Sequence, residues 1–135
     1  MRTTQKKGDH AKAQAILSFT RLGYDVGTLI TESAAYDILV DDGEEIHRVQ
    51  IKYCGHQKGE LDLRATHTNS RGHIKKKTTH KAYDWLYVLD SKGSEYLLKD
   101  CLIGRTSVLI KSLPFMDHTA DAEATRLENE GPRKG

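Results

Sequence analysis

Two short β-prone runs, residues 36–40 and 46–53, are separated only by Asp41-Asp42-Gly43-Glu44-Glu45. Nothing else in the chain restricts its fold as much. An Asp-Gly step between such runs predicts a hairpin, because glycine enters the left-handed region that tight turns need. In the second run, alternation sets Ile46, Arg48, Gln50 and Lys52 on one face. His47, Val49, Ile51 and Tyr53 take the other, since successive strand side chains point to opposite sides.

The remaining elements are expected to assemble around this hairpin. Residues 9–22 read as a helix, with Ala13, Ile16, Leu17 and Phe19 as an apolar stripe and Asp9 near its start, where a carboxylate favours the helix dipole. Residues 24–30 predict a first strand, and 60–66 a further one. Residues 66–81 carry no aliphatic residue except Ile74 and read as a long loop or a short exposed helix. Residues 83–89 form the most apolar strand, expected to be buried on both faces. A turn at 91–93 returns through 95–99, and 106–110 supply a last short strand. The order predicts an α/β fold with a central mixed sheet. Residues 1–112 are expected to form the domain. Residues 113–135 read as a tail, with an exposed helix at 120–129 and a loose end.

With 135 residues the chain is long enough for one independent core. No apolar run approaches the ~20 residues of a membrane span, and the charged N-terminus lacks the apolar stretch of a signal peptide. Cys54 and Cys101 make neither a disulfide framework nor a zinc site. The expectation is a reduced, cytoplasmic protein with no membrane partner. The formal net charge of +2 is unevenly spread. Residues 46–82 hold nine Lys and Arg against Glu60 and Asp62, together with five of the seven histidines. Such a concentration suits either a polyanion partner or a solvated face.

The chemistry-bearing constellation lies on the hairpin. Gln50 and Lys52, two apart on one strand, are placed to project toward Asp37 on its partner. A carboxylate and an amide oxygen are hard ligands suited to Mg²⁺. An adjacent ammonium can orient water and offset phosphate charge. That combination suits metal-assisted attack on a phosphodiester, although Asp and Lys on neighbouring strands also form ordinary surface pairs. Other residues read more plainly. His47 and His56 are surface histidines, Cys54 is a buried thiol, and Tyr83, Trp85 and Tyr87 belong to the core. Glu60 and Asp62 are exposed strand carboxylates.

Taken in order, Lys7-Gly8-Asp9, Leu22-Gly23-Tyr24, Tyr36-Asp37, Asp41-Asp42-Gly43 and Arg48-Val49-Gln50-Ile51-Lys52 resemble the PD-(D/E)XK nuclease superfamily. Within it they are most similar to the group I intron-associated homing endonucleases, in which Gln replaces the acidic residue of the (D/E)XK element. The resemblance covers residues 7–53 well, continues loosely through the strands near 83–89 and 95–98, and ends by about residue 112. It implies a restriction-endonuclease-like mixed β-sheet flanked by helices. By the same resemblance Asp37 is the central metal-binding carboxylate, Gln50 the second ligand and Lys52 the catalytic lysine. Where that pattern carries a glutamate on the first helix, this chain has Lys12. Helical spacing turns Lys12 toward the site, and its charge opposes a cation. Asp9, one turn earlier, is the carboxylate placed to compensate.

The function expected from these residues is Mg²⁺-dependent hydrolysis of DNA phosphodiester bonds. Asp37, Gln50 and Asp9 would hold the metal, with Asp37, Gln50 and Lys52 catalytic. Lys6, Lys7, Arg64, Arg71, Lys75, Lys76, Lys77 and Lys81 would contact double-stranded or branched DNA. One site serves one strand, so duplex cleavage implies a homodimer or homotetramer. Two alternatives stand beside it: a Holliday-junction resolvase, and a DNA-binding protein of the same fold whose cutting Lys12 has impaired.

Overall fold

The computed structural model describes residues 3–55, 59–63, 65–69, 72–76 and 81–119, with 65–69 and 72–76 described by their backbone alone. Helix α1 (Thr4–Arg21) leads into β1 (Asp25–Thr28), β2 (Ile38–Asp41) and β3 (Ile46–Cys54). There follow β4 (Glu60–Asp62), β5 (Ala65–Asn69), β6 (Gly72–Lys76), β7 (Trp85–Asp90), β8 (Glu95–Leu98) and β9 (Ser107–Leu109).

Five strands form a mixed sheet in the order β1-β2-β3-β7-β8, with β3 and β7 parallel and the other neighbours antiparallel. This is the expected α/β architecture. The β2–β3 hairpin is held where the turn residues predicted. Asp41 Oδ1 accepts from the Gly43 amide at 2.9 Å, and Asp42 Oδ1 from those of Glu44 and Glu45 at 2.8 and 2.7 Å. Gly43 takes a φ of 95°, which a side chain would strain.

Helix α1 begins five residues before the expected start at residue 9. Thr3 caps it, its hydroxyl accepting from the Lys6 amide at 3.1 Å. The first two turns are polar, so no apolar period announces them, and Asp9 lies inside the helix rather than at its end. The stripe facing the sheet is Ala11, Ala15, Ser18 and Phe19, with Leu22 beyond it. Ala13 and Leu17 are exposed instead. Small residues at 11 and 15 bring α1 close to the sheet, and Phe19 meets Tyr24, Trp85 and Tyr87 with ring centroids 6.0–6.2 Å apart. Buried Val40, Val49, Tyr87 and Leu89 complete this layer. A polar link adds to it: Glu95 Oε2 accepts from both Ser18 and Tyr87 hydroxyls, and with burial this drives the Tyr87 phenol pKa far upward.

The opposite face packs Leu86 and Val88 against Leu61, Leu63, Tyr96, Val108 and Leu113. It is covered by the β4–β9 ribbon. All six residues of β7 are buried, as the composition of 83–89 predicted. The chain packs past residue 112: Leu113 and Met116 are core residues, and backbone bonds join Leu97 to Pro114 and Met116 to Glu95.

Residues 66–76 differ from the loop or helix expected there. β5 and β6 pair as an antiparallel hairpin, His67 opposite Ile74. A polar strand lacks the apolar alternation that identifies strands; the β-branched Thr66, Thr68 and Ile74 were the local signal. The expected helix at 120–129 lies outside the described residues.

Candidate active site

β2 pairs with β3 only as far as Ile38 opposite Val49, whereas β3 runs on to Cys54 against β7. The two strands therefore part beside residues 50–54, and Asp37 stands in the opening. Its amide donates to the Val49 carbonyl at 2.9 Å. Its Oδ2 accepts from the Ile51 amide at 2.8 Å and from Gln50 Nε2 at 3.0 Å. The structure thus joins Asp37 and Gln50 directly, as the strand alternation implied. Lys52 is near enough for its charge to act on Asp37. Burial raises the Asp37 pKa above the ordinary 3.8, outweighing the Ile51 hydrogen bond and the charges of Lys12 and Lys52.

A hollow of about 450 Å³ opens in front of Asp37. From α1 it is lined by Gln5, Gly8, Asp9 and Lys12, and from the loop after β1 by Leu29–Glu32. Lys12 faces Asp37 across it, in agreement with the helical spacing. Asp9 shares the hollow and accepts from Gln5 Nε2 at 3.0 Å. For a hard cation, the donors at hand are Asp37 Oδ1, which accepts no hydrogen bond from a described residue, and the Asp9 carboxylate. Gln50 presents its amide nitrogen to Asp37, so its Oε1 is the atom left for a cation. The oxygen donors fit a divalent ion, while the ammoniums of Lys12 and Lys52 oppose it.

A second group with metal-ligand spacing lies at the other end of β2. Atoms of Asp42, Glu45 and His47 fall within 4.8 Å of one another. The turn accounts for it: Asp42 serves the Glu44 and Glu45 amides and meets His47 Nε2 at 2.8 Å. His47 is half-buried, stacked on Trp85 with centroids 4.1 Å apart, and so is not the surface histidine expected.

The described members of the expected DNA-contact set lie on separate elements. Lys6 is exposed on α1 and Lys7 half-buried. Lys81 is exposed but shares its charge with Asp84 at 3.5 Å. Lys75 and Lys76 lie on β6, while Arg64, Arg71, Lys77 and His56 fall outside the described residues. Trp85, Tyr83 and Tyr87 are buried, as is Cys54. Glu60 is exposed, Asp62 half-buried, and both pair with β9.

A neighbouring hollow of about 500 Å³ was not anticipated. Thr4, Lys7, Gly8, Ile51, Lys52, Tyr53 and Gly55 line it. Its signal in the sequence was Gly8, a glycine among the residues of a helix.

Comparison with known proteins bears on the fold and the family. The fold is similar to that of a bacterial homing endonuclease, I-Ssp6803I, with a TM-score of 0.66, 20% identity and 93% of each chain covered. None of the curated proteins compared matches the chain. A family model described as PD-(D/E)XK endonuclease matches residues 2–98. That span includes α1, the parted β2 and β3 strands, and β7 with β8: the chain belongs to the PD-(D/E)XK endonuclease family.

Proposed function

We propose that this protein is a Mg²⁺-dependent DNA endonuclease of the homing type. The observation that carries the reading is the Asp37–Gln50 contact at the parted strands, with Lys52 on the same strand, in a chain of this family. Asp37, Asp9 and the Gln50 amide oxygen hold the ion. When bound, Mg²⁺ supplies positive charge to the scissile phosphate and lowers the pKa of a coordinated water. Lys52 orients the attacking water and offsets charge on the phosphate. Lys6, Lys7, Arg64, Arg71, Lys75, Lys76, Lys77 and Lys81 supply phosphate contacts, which position the duplex without reading its sequence. Cutting both strands with one site per chain calls for a homodimer or homotetramer.

A second reading has one observation in its favour. Lys12 lines the Asp37 hollow, and a cation there weakens metal binding, as in a DNA-binding protein that has lost cutting. Plasmid, linear duplex and four-way junction DNA, each incubated with Mg²⁺, Mn²⁺ or EDTA, separate the possibilities. Metal-dependent cuts in linear duplex support the proposal. Cutting confined to junctions identifies a resolvase, and binding with no cutting in either metal identifies the impaired form.

A further inference from the structure

We infer that the hollow lined by Lys7, Lys52 and Tyr53 is a subsite for the phosphate next to the one at Asp37 on the same DNA strand. Gly8 is the saddle over which that strand passes. The inference rests on the endonuclease reading and deepens it.

Gly8 is the observation that demands a cause. It lies inside α1, where glycine is less favourable than alanine. Packing does not require it, because a Cβ built there meets nothing within 4 Å. Backbone conformation does not either, since Gly8 is not among the glycines with positive φ. Yet Gly8 stands one turn before Ala11 and Lys12, on the side of α1 that faces the sheet. It is exposed and lines both hollows. Both hollows are bounded by Gly8 on the helix and Ile51 on β3, so they meet at this waist. A side chain at position 8 would project into the passage between them.

The chemistry of the second hollow suits a phosphodiester. Two lysines, Lys7 and Lys52, and Thr4 border it. Lys7 Nζ is held 5.8 Å from the centroid of the Tyr53 ring. Gly55 forms the far rim, also without a positive φ. A Cβ there would press on the Tyr53 ring at 3.0 Å and reach 3.7 Å from Lys7 Nζ. Gly55 is accounted for by the Tyr53 ring packed against it, whereas neither packing, backbone conformation nor helix stability gives a reason for Gly8. A continuous polyanion accounts for Gly8: one phosphate sits before Asp37, the next between Lys7 and Lys52, and the sugar between them crosses Gly8.

The test compares the parent chain with Gly8→Ala, Gly8→Leu and Lys7→Ala. Melting temperatures are measured alongside anisotropy titrations of a labelled DNA duplex in EDTA over a series of salt concentrations. Gly8→Ala is expected to raise the melting temperature by a few degrees while weakening duplex binding. Gly8→Leu, also a good helix former, should stay folded and lose about tenfold or more in affinity. Lys7→Ala should reduce the log–log salt slope by about 0.9. A parent that binds while folded Gly8→Leu binds within about twofold of it overturns the subsite, and so does an unchanged slope for Lys7→Ala. A parent that does not bind duplex at all overturns the endonuclease reading first, and the subsite with it.

Discussion

Two carboxylates flank β3 near the middle of the sheet, and the chain treats them in opposite ways. Asp84 meets the Arg48 guanidinium through both oxygens, at 3.2 and 3.3 Å, and accepts the Arg48 amide at 2.8 Å. Direct contact with a fixed cation lowers its pKa to about 2. Asp37, one residue before β2, receives only neutral donors among the described residues, from Gln50 and Ile51. The lysines around it act from a distance, so burial prevails and its pKa rises. One carboxylate is satisfied by the fold and tightens it. The other is kept short of charge, which costs stability and leaves an oxygen for a ligand, a pattern that marks functional sites.

The largest effects are expected at Asp37. Asp37→Ala and Lys52→Ala should each abolish metal-dependent cleavage, a loss on the order of 10³-fold or more, while duplex affinity stays within a few-fold. Single-turnover cleavage and anisotropy read the two quantities, and variants that cut like the parent would break the contrast with Asp84.

Lys12 comes next. Lys12→Glu removes an opposing charge and adds an oxygen donor, so Mg²⁺ affinity and cleavage should rise together by about tenfold or more. Lys12→Ala, which only removes the charge, should give a smaller gain. Metal titration followed calorimetrically supplies a readout apart from activity. A fully active parent that loses activity on Lys12→Glu would assign Lys12 to phosphate contact instead.

At Asp84 the effect is on stability alone. Asp84→Ala should cost about 1–2 kcal/mol, because a part-buried, charge-assisted contact is lost. Its folded pKa is depressed, so the contribution is present above the ordinary 3.8 and is lost as pH falls from there to about 2. Urea unfolding of parent and variant should converge over that window. An equal difference at all pH values would mean that packing, not charge, accounts for it.

Asp37→Asn should give the smallest change, with the opposite sign. A raised folded pKa means that the ionised form costs stability above the unfolded value. Removing the charge should therefore stabilise the protein slightly at neutral pH, with the melting temperature in EDTA as the measure. Destabilisation would show that the charged form of Asp37 is favoured in the fold, as it is at Asp84.

The expected site came closest to the structure where local rules are strong. The Asp-Gly turn set the register of β2 on β3, and period-2 alternation then placed Gln50 within 3.0 Å of Asp37. Helical periodicity aimed Lys12 at the same hollow. Polar elements were less legible. The first two turns of α1 and the β5–β6 hairpin carry no periodic apolar residues in the sequence, and hydrophobic patterning is silent without them.

The sequence by itself determined the hairpin, the buried β7 strand and the set of residues that meet at its end, because those follow from turn chemistry and side-chain alternation along a short stretch of chain. Only the tertiary structure decided the environment of each group. Arg48 and Asp84 are 36 positions apart, and which carboxylate receives a cation depends on how β7 docks against β3. The hollow at Gly8 exists because α1 overhangs the point where β2 leaves β3. Burial, and with it the direction of each pKa shift, is set by elements that arrive from distant parts of the chain, and no local pattern encodes their approach.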